Sequence, residues 1–289
     1  MQPRSISLAY SADADDAFMF HALAAGEIAP PGLVFTHARA DTAELNRVAL
    51  AGAADVVAIS AGIYPEVAGR YQLLPHGASV GRGFGPVVVA PARLAVSDLA
   101  GLRVGIPGLT TTAWLVLRLI EPRAVPVEIP IVPFGRIFDA VRAGEVDAAL
   151  LIHEGRLIYR ERGLHLVVDL GIWWRDTVGL PLPLGLNVIR RALGADLIAR
   201  VSEALRMSIA WAGANRDELV ASLAAEDRGE PALRDPSLID HYLSLYANAD
   251  TALLPEDARR GIEELFARAA RAGLIAGGAL GRFALDWAP

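Results

Sequence analysis

The chain has 289 residues, 53% of them hydrophobic, and carries 33 acidic and 27 basic side chains and no cysteine. This length predicts two domains, and the apolar content excludes a disordered chain. The net charge of −6 argues against a nucleic-acid partner, no apolar run is long enough to cross a membrane, and the lack of lysine and cysteine excludes Schiff-base and thiolate chemistry.

Short apolar strands alternate with helical patterns through the first 60 residues. The pattern predicts strands at 5–9, 33–39 and 56–59 and helices at 13–25 and 41–51. Asp41 is placed to cap the second helix, because Glu44 follows three residues later. Such alternation predicts parallel βαβ units and an α/β fold. The first residues lack the pattern of a signal peptide, so we expect a cytoplasmic protein.

A glycine-rich loop at 81–86 and an extended segment at 87–90 precede a second αβ series. We predict strands at 103–106, 127–132, 148–152 and 166–169, helices at 110–120 and 136–143 and around Trp173 and Trp174, a turn at 181–183, an extended segment at 186–189, and helices at 195–212, 217–225, 237–247 and 256–272. These elements predict two lobes, formed by residues 1–92 with 187–289 and by residues 93–186. A ligand is expected between them, at the carboxyl ends of the strands.

Of the six histidines, only His153 directly follows a strongly apolar strand, which places it at the strand end that faces a cleft. Position alone favours a partly buried histidine bonded to a nearby carbonyl, and the alternative is a residue that moves a proton. The sequence contains neither a His-Glu-x-x-His zinc motif nor a Gly-x-Ser-x-Gly nucleophile motif.

Two further segments have residue types that bind anions. Thr110, Thr111 and Thr112 begin a helix, where hydroxyls and free N–H groups bind a carboxylate or phosphate, although a plain N-cap needs only one of them. Arg82 lies in a Gly-x-Gly loop without dinucleotide-binding spacing. This loop is either a plain turn or a segment that holds the arginine side chain towards an anionic substrate.

Three acidic residues begin the first helix, namely Asp13, Asp15 and Asp16. Their favourable interaction with the helix dipole is the simpler explanation.

Eight segments, taken in order, resemble the 1,4-dihydroxy-6-naphthoate synthases of the futalosine route to menaquinone. They are Ala-Tyr-Ser at 9–11 with Phe-x-Phe-His-Ala-Leu at 18–23, Asp-Val-Val-Ala-Ile-Ser at 55–60, Arg-Tyr-x-Leu-Leu-Pro-x-Gly at 70–77, Gly-Arg-Gly-Phe-Gly-Pro at 81–86, Ile-Pro-Gly-x-x-Thr-Thr-Ala at 106–113, Ile-His-Glu-x-Arg at 152–156, Asp-Leu-Gly-x-Trp-Trp at 169–174 and Gly-Leu-Pro-Leu-Pro-Leu-Gly at 179–185. Each motif is weak alone, and their shared order and spacing indicate homology over residues 5–190.

The resemblance implies a periplasmic-binding-protein-like clamshell that acts as an enzyme. The family converts cyclic dehypoxanthinylfutalosine into 1,4-dihydroxy-6-naphthoate by a lyase-type ring fragmentation without metal or organic cofactor. Its proposed base corresponds to His153, expected as a neutral imidazole with a pKa near the working pH and oriented by Glu154 or a backbone carbonyl. The implied contacts of a small carboxylate substrate are Ser11, Asp16, Ala58, Ile59, Ser60, Thr111, Thr112 and Glu154, with Arg82 and Arg156 as charge partners. We expect no nucleic-acid or membrane partner.

The chain departs from the family in its first motif. The usual Ser-Pro-Cys-Pro-Asn-Asp-Thr-Phe is replaced by Ser-Ala-Asp-Ala-Asp-Asp-Ala-Phe at 11–18, in a loop that borders the cleft. A paralogue that acts on a related carboxylate is therefore a second hypothesis. A non-catalytic solute-binding protein or sensor of the same fold is the alternative from another class. The sister enzyme chorismate dehydratase is disfavoured, because it generally lacks the Ile-His-Glu-x-Arg segment.

Overall fold

The computed structural model describes residues 3–275 and 285–289, and its strands form two sheets. In chain order the strands are β1 (Arg4–Tyr10), β2 (Leu33–Arg39), β3 (Val56–Ser60), β4 (Tyr71–Leu73), β5 (Ser79–Gly81), β6 (Val87–Ala90), β7 (Arg103–Ile106), β8 (Val125–Glu128), β9 (Ala148–Leu151), β10 (His165–Asp169) and β11 (Leu182–Arg190). The α-helices are α1 (Ala14–Ala25), α2 (Thr42–Ala51), α3 (Tyr64–Val67), α4 (Thr112–Ile120), α5 (Arg136–Arg142), α6 (Gly155–Ile158), α7 (Leu170–Val178), α8 (Ala195–Ala214), α9 (Arg216–Ala225), α10 (Pro236–Tyr246), α11 (Ala249–Ala252) and α12 (Glu256–Arg271).

The first two helices begin directly after an aspartate, and the sequence predicts the capping role of the second, Asp41. The side chain of Asp13 accepts a hydrogen bond from the backbone N–H of Asp16, and Asp41 accepts one from Glu44, so each carboxylate satisfies an N–H group that the first helical turn leaves free. Both helices end at a glycine with positive φ, which a residue without a Cβ adopts at little cost.

The first sheet has the strand order β2-β1-β3-β11-β4, and β5 pairs with another part of β11. β1 is parallel to β2 and β3, whereas β11 is antiparallel to β3, β4 and β5. In this register Gly185 of β11 lies between two serines, Ser60 of β3 and Ser79 of β5. Asn187 lies opposite Ala58 in the next row of the same sheet.

The second sheet has the order β10-β6-β9-β7-β8. β7 is parallel to β8 and β9, while β6 runs antiparallel to β9 and β10. Both sheets are therefore mixed, and the expectation of parallel units describes only part of each. The antiparallel strands are the two that connect the αβ series, β6 and β11.

The strand pairing shows that the chain crosses from one sheet to the other at different residues from those we expect. The extended segment 87–90, which we placed with residues 1–92, pairs as β6 inside the second sheet, and the whole of β11 belongs to the first. The chain thus passes between the sheets at 82–86 and again at 170–181. The turn predicted at 181–183 is wrong, because Leu182 and Pro183 pair with Gly81 and Val80. The division into lobes stays a prediction.

The connection between the sheets is packed tightly against the start of α7. A Cβ built on Gly171 would lie 2.0 Å from the backbone oxygen of Phe84, a distance that no side chain tolerates. A single apolar core extends from β3 and β11 across α4 and α7 to the second sheet, with Trp114 and Trp174 among its buried members. Within the described residues, no helix is long and apolar enough to cross a membrane.

Candidate active site

A cavity of about 710 Å³, part of it open to solvent, lies where the carboxyl ends of β1, β3 and β9 meet the starts of α1 and α4. Its walls combine apolar residues with a small number of polar side chains, as the walls of small-molecule sites do. The prediction of a ligand site at the carboxyl ends of the strands agrees with this position. Eight of the residues predicted for the site line the cavity: Ser11, Asp16, Ala58, Ile59, Ser60, Thr111, Thr112 and His153.

His153 is held in the cavity by contacts on both ring nitrogens. Its Nδ1 lies 2.5 Å from Oδ2 of Asp13, and its Nε2 lies 3.1 Å from the hydroxyl of Thr42. Its backbone has a φ of 51°, in the left-handed region that residues with a Cβ seldom adopt. Strained backbone of this kind is concentrated at functional sites, where surrounding contacts hold it in place. Phe134 covers the ring at a centroid distance of 6.2 Å.

His153 and Asp13 shift each other's pKa in opposite directions. Burial alone lowers the pKa of His153, but the charge and hydrogen bond of Asp13, with smaller effects of Asp15 and Glu154, raise that pKa to about 9. Burial raises the pKa of Asp13, and the charge and hydrogen bond of His153 outweigh it and lower that pKa to about 2. The imidazole is therefore protonated at pH 7, which differs from the neutral imidazole that we expected.

Asp15 lies beside this pair and is buried. One of its carboxyl oxygens accepts a hydrogen bond of 2.9 Å from the hydroxyl of Tyr242, and the other contacts the hydroxyl of Ser79. Burial, and then the charges of Asp13 and Asp16, raise the pKa of Asp15 well above its usual range. The direction of this shift reflects the cost of burying an anion beside two others.

Asp16 accepts a hydrogen bond of 2.6 Å from the backbone N–H of Ser11. Burial, and next the charge of Asp13, raise the pKa of Asp16 to about 7, although the bond from Ser11 opposes this change. This contact orders the loop before α1. Asp16 therefore contributes to the shape of the cavity wall as well as to its charge.

The start of α4 forms another wall of the cavity. The hydroxyl of Thr111 accepts from the N–H of Trp114 and donates to Gly108, so Thr111 is the N-cap that the plainer interpretation expects. The hydroxyl of Thr112 donates to the carbonyl of Leu184. Ser60 is different, because its oxygen accepts from Asn46 while its own proton has no acceptor among the described residues. Helix geometry also leaves first-turn N–H groups without intrahelical partners.

The structure places three predicted residues outside the cavity lining. Arg82 binds Asp250 and Asp257 and is partly exposed, so the prediction that it faces the substrate is wrong. Arg156 forms a hydrogen bond with Gly85 and an ion pair with Asp169. The two arginines have carboxylate partners within the chain and thus help to hold the fold.

Glu154 is also directed away from the site. It is fully buried, it forms an ion pair with the buried Arg228, and it accepts a hydrogen bond of 3.2 Å from the N–H of Ala14. Glu154 therefore does not orient the ring of His153, and Asp13 has that role. The ion pair links the segment after His153 to the helical region beyond α9.

Sequence reasoning missed several residues that line the cavity, namely Asp13, Asp15, Thr42, Ser79, Asn187 and Tyr242. A signal was present for the first two, because both replace uncharged residues in the first family motif. The other four come from segments that are far apart in the chain, and no local pattern marks them.

Asp13, Asp15 and His153 have the spacing of a ligand set for a metal ion, with one donor atom from each lying within 4.8 Å of the others. The pKa of His153 is about 9, so its imidazole holds a proton at neutral pH and pairs with Asp13. A cation would have to displace that proton. The groups are better matched to each other than to a metal ion.

Two sheets and a cavity at their strand ends that contains a buried histidine–aspartate pair define a fold that can hold a small molecule. The chain belongs to the menaquinone-biosynthesis family, whose model matches residues 6–271. It is 40% identical over 281 residues to the 1,4-dihydroxy-6-naphthoate synthase of Streptomyces coelicolor, covering 95% of this chain and 96% of the relative. It is also 40% identical over 272 residues to the enzyme of that name from Thermus thermophilus, covering 94% and 96%.

Solved structures agree with this assignment. A crystal structure of an Archaeoglobus fulgidus protein matches with a TM-score of 0.83 and 40% identity, covering 94% of this chain and 98% of that one. The alkanesulfonate-binding protein of Xanthomonas axonopodis pv. citri matches with a TM-score of 0.69 at 13% identity over 95% of each chain. The latter likeness shows the fold alone, which is periplasmic-binding-protein-like as expected. The family and its naphthoate synthases are likewise those that the sequence motifs indicate.

Proposed function

We propose that the chain converts cyclic dehypoxanthinylfutalosine into 1,4-dihydroxy-6-naphthoate as a lyase that needs no metal or organic cofactor. The observation that carries the proposal is the contact of 2.5 Å between His153 and Asp13 inside the cavity. The chain that contains this pair is 40% identical to a 1,4-dihydroxy-6-naphthoate synthase. Ring fragmentation beside a carbonyl requires a group that accepts a proton, and a buried imidazole supplies one.

In the proposed mechanism Nε2 of His153 takes the proton from the substrate. Nδ1 is occupied by Asp13, which fixes the orientation of the ring and stabilises the positive charge that develops on it. Because the imidazole holds a proton at neutral pH, it must first release that proton to solvent. Thr42, at 3.1 Å from Nε2, marks the position that a substrate group occupies next to the base.

The carboxylate of the substrate is proposed to bind at the opposite end of the cavity, near Ser60 and the start of α4. The hydroxyl proton of Ser60 lacks an acceptor among the described residues, and the first turn of α4 offers N–H groups and the positive end of its dipole. Thr111 and Thr112 shape this end through backbone and methyl contacts, since their hydroxyls are engaged within the protein.

The proposal is tested by incubating purified protein with cyclic dehypoxanthinylfutalosine and following naphthoate by chromatography and mass spectrometry. Product that is lost in a His153 variant supports the proposal. Stabilisation by the substrate without any product would contradict it and favour a non-catalytic binding protein of the same fold. We further propose a cytoplasmic location and no membrane or nucleic-acid partner.

A further inference from the structure

The floor of the cavity is a row of small residues with a hydroxyl at each end. Ser60, Gly185 and Ser79 lie opposite one another on three adjacent strands, and all three line the cavity. Adjacent strands are about 4.8 Å apart, so the two serines are separated by about 10 Å across the glycine. An aromatic acid lying on Gly185 would thus reach both.

The hydroxyl of Ser79 has a buried partner, the carboxyl group of Asp15. Tyr242 donates to Oδ1 of Asp15, and the hydroxyl of Ser79 donates to Oδ2. The proton of the serine hydroxyl is therefore used, and the lone pairs of its oxygen stay available to a ligand that donates. Ser79 is thus an acceptor whose orientation is fixed by the buried Asp15.

A buried acceptor lies diagonally across the same sheet face. Asn187 is only 1% exposed and lines the cavity, and its amide nitrogen donates to the carbonyl of Gly77. Its Oδ1 has no hydrogen-bond partner among the described residues. An unsatisfied buried carbonyl is costly, and a ligand that brings a donor would remove that cost.

We propose that Ser79 and Asn187 form a subsite for a hydroxyl group at the end of the ligand opposite its carboxylate. A hydroxyl group brings one proton, which Oγ of Ser79 and Oδ1 of Asn187 can both accept. The inference rests on the proposed function for the carboxylate end. It agrees with the name 1,4-dihydroxy-6-naphthoate, which puts the hydroxyls and the carboxylate on different rings. Asp15, which replaces the asparagine of the family motif, acts as a positioning residue for Ser79.

The test compares two probes, 2-naphthoate and 6-hydroxy-2-naphthoate, by isothermal titration calorimetry. The parent protein is expected to bind the hydroxylated acid at least about fivefold more tightly, the effect of one or two neutral hydrogen bonds. Ser79→Ala should reduce this preference below about twofold and leave the affinity for 2-naphthoate nearly unchanged. Ser208→Ala is the matched control, because Ser208 is a buried serine that donates to Met19 and does not line the cavity.

Gly185→Ala provides a second variant that keeps the fold. A Cβ at this position would lie 3.6 Å from the Cβ of Ser79, an ordinary contact, yet its methyl group would occupy the floor between the two ends. Both acids should bind at least about tenfold more weakly to it, since either ligand would meet the methyl group. Unchanged affinity for both would show that ligands do not lie on this floor and would overturn the proposal.

Further outcomes separate the subsite from the function. The subsite is wrong if neither acid binds, if the parent shows no preference, or if the preference persists in Ser79→Ala. It is also wrong if naphthoate is formed with the same KM in parent and Ser79→Ala, while the proposed function then stands. A preference that depends on Ser79 in a protein that forms no naphthoate would instead support the subsite and reject the function.

Discussion

Nδ1 of His153 lies 2.5 Å from Oδ2 of Asp13, although 139 residues separate them in the chain. Asp13 belongs to the cap of α1 and His153 follows β9, so the pair joins elements that pack around different sheets. One carboxylate therefore both begins a helix and holds the proposed base. The contact that holds the proposed base thus also joins elements of the two sheets.

The rate of the reaction should increase with pH up to about 9. His153 must be deprotonated to act as a base, and the charge of Asp13 holds its pKa near that value. Below it, kcat/KM is expected to rise about tenfold per pH unit and then to level off. In Asp13→Asn the charge is lost, so the rise should move towards the ordinary histidine pKa of about 6.5, with a lower plateau. Steady-state kinetics between pH 6 and 10 measure both profiles, and a parent profile that is flat from pH 6 to 9 would contradict a base of this kind.

Replacement of His153 by asparagine should abolish most turnover without unfolding the protein. Asparagine tolerates the left-handed backbone at this position better than alanine does. We expect kcat to fall by about 10²–10⁴-fold and the affinity for the substrate to change by less than about threefold. Stopped assays with thermal melting provide the measurement, and the exposed His241→Asn is the control. Turnover close to that of the parent would remove His153 from the mechanism.

Ser60→Ala tests the carboxylate end of the cavity. The serine hydroxyl is the donor there that lacks an acceptor among the described residues, so its loss should weaken binding of 2-naphthoate about fivefold or more. Calorimetry at low and high salt measures the change. Equal affinities of the variant and the parent would place the carboxylate elsewhere.

The buried ion pair of Glu154 and Arg228 should be essential for stability. Arg228→Met leaves a fully buried carboxylate without its partner, which costs about 3–5 kcal/mol in the free energy of unfolding. The double variant with Glu154→Gln should recover part of that loss, because no buried charge then remains. Urea denaturation measures both, with Arg206→Met as a control that breaks an exposed pair with Glu203. A loss below about 1 kcal/mol for Arg228→Met would show that the buried pair is not required.

Removal of metal ions should leave turnover unchanged. His153 and Asp13 satisfy each other as an ion pair, and the carboxyl group of Asp15 is engaged by Ser79 and Tyr242. Dialysis against a chelator, followed by the naphthoate assay, tests this. Loss of activity that a divalent cation restores would assign the three residues to a metal site.

The local elements of the fold could be predicted because their signals are local. β2 has the predicted bounds, and α2 begins after its predicted capping residue, Asp41. Periodicity and capping act within a few residues, which a single sequence contains. The segment 181–183 is expected as a turn, but β11 starts within it. Proline often interrupts secondary structure, yet a strand also tolerates it where the strand is irregular. The pairing of Leu182 with Gly81 is a long-range contact that no local pattern encodes.

The site could be predicted where family motifs carry it and only in part elsewhere. Ser60 and His153 follow from motifs at strand ends, and the cavity contains both. Arg82 and Glu154 lie outside the cavity lining, and charge alone does not predict which way a side chain points. Asp250 and Arg228, which bind them, are contributed by the distant helical part of the chain.

The floor of the cavity has a consequence for how such proteins diverge. Ala58 and Gly185 come from β3 and β11, whereas the pair proposed to transfer the proton comes from the start of α1 and the end of β9. A methyl group added at Gly185 finds space in the protein itself. Natural variation there would change the shape of the molecules accepted, one carbon at a time, and leave the acid–base pair intact. The residues that select the substrate and those proposed to carry the chemistry can therefore change independently within one fold.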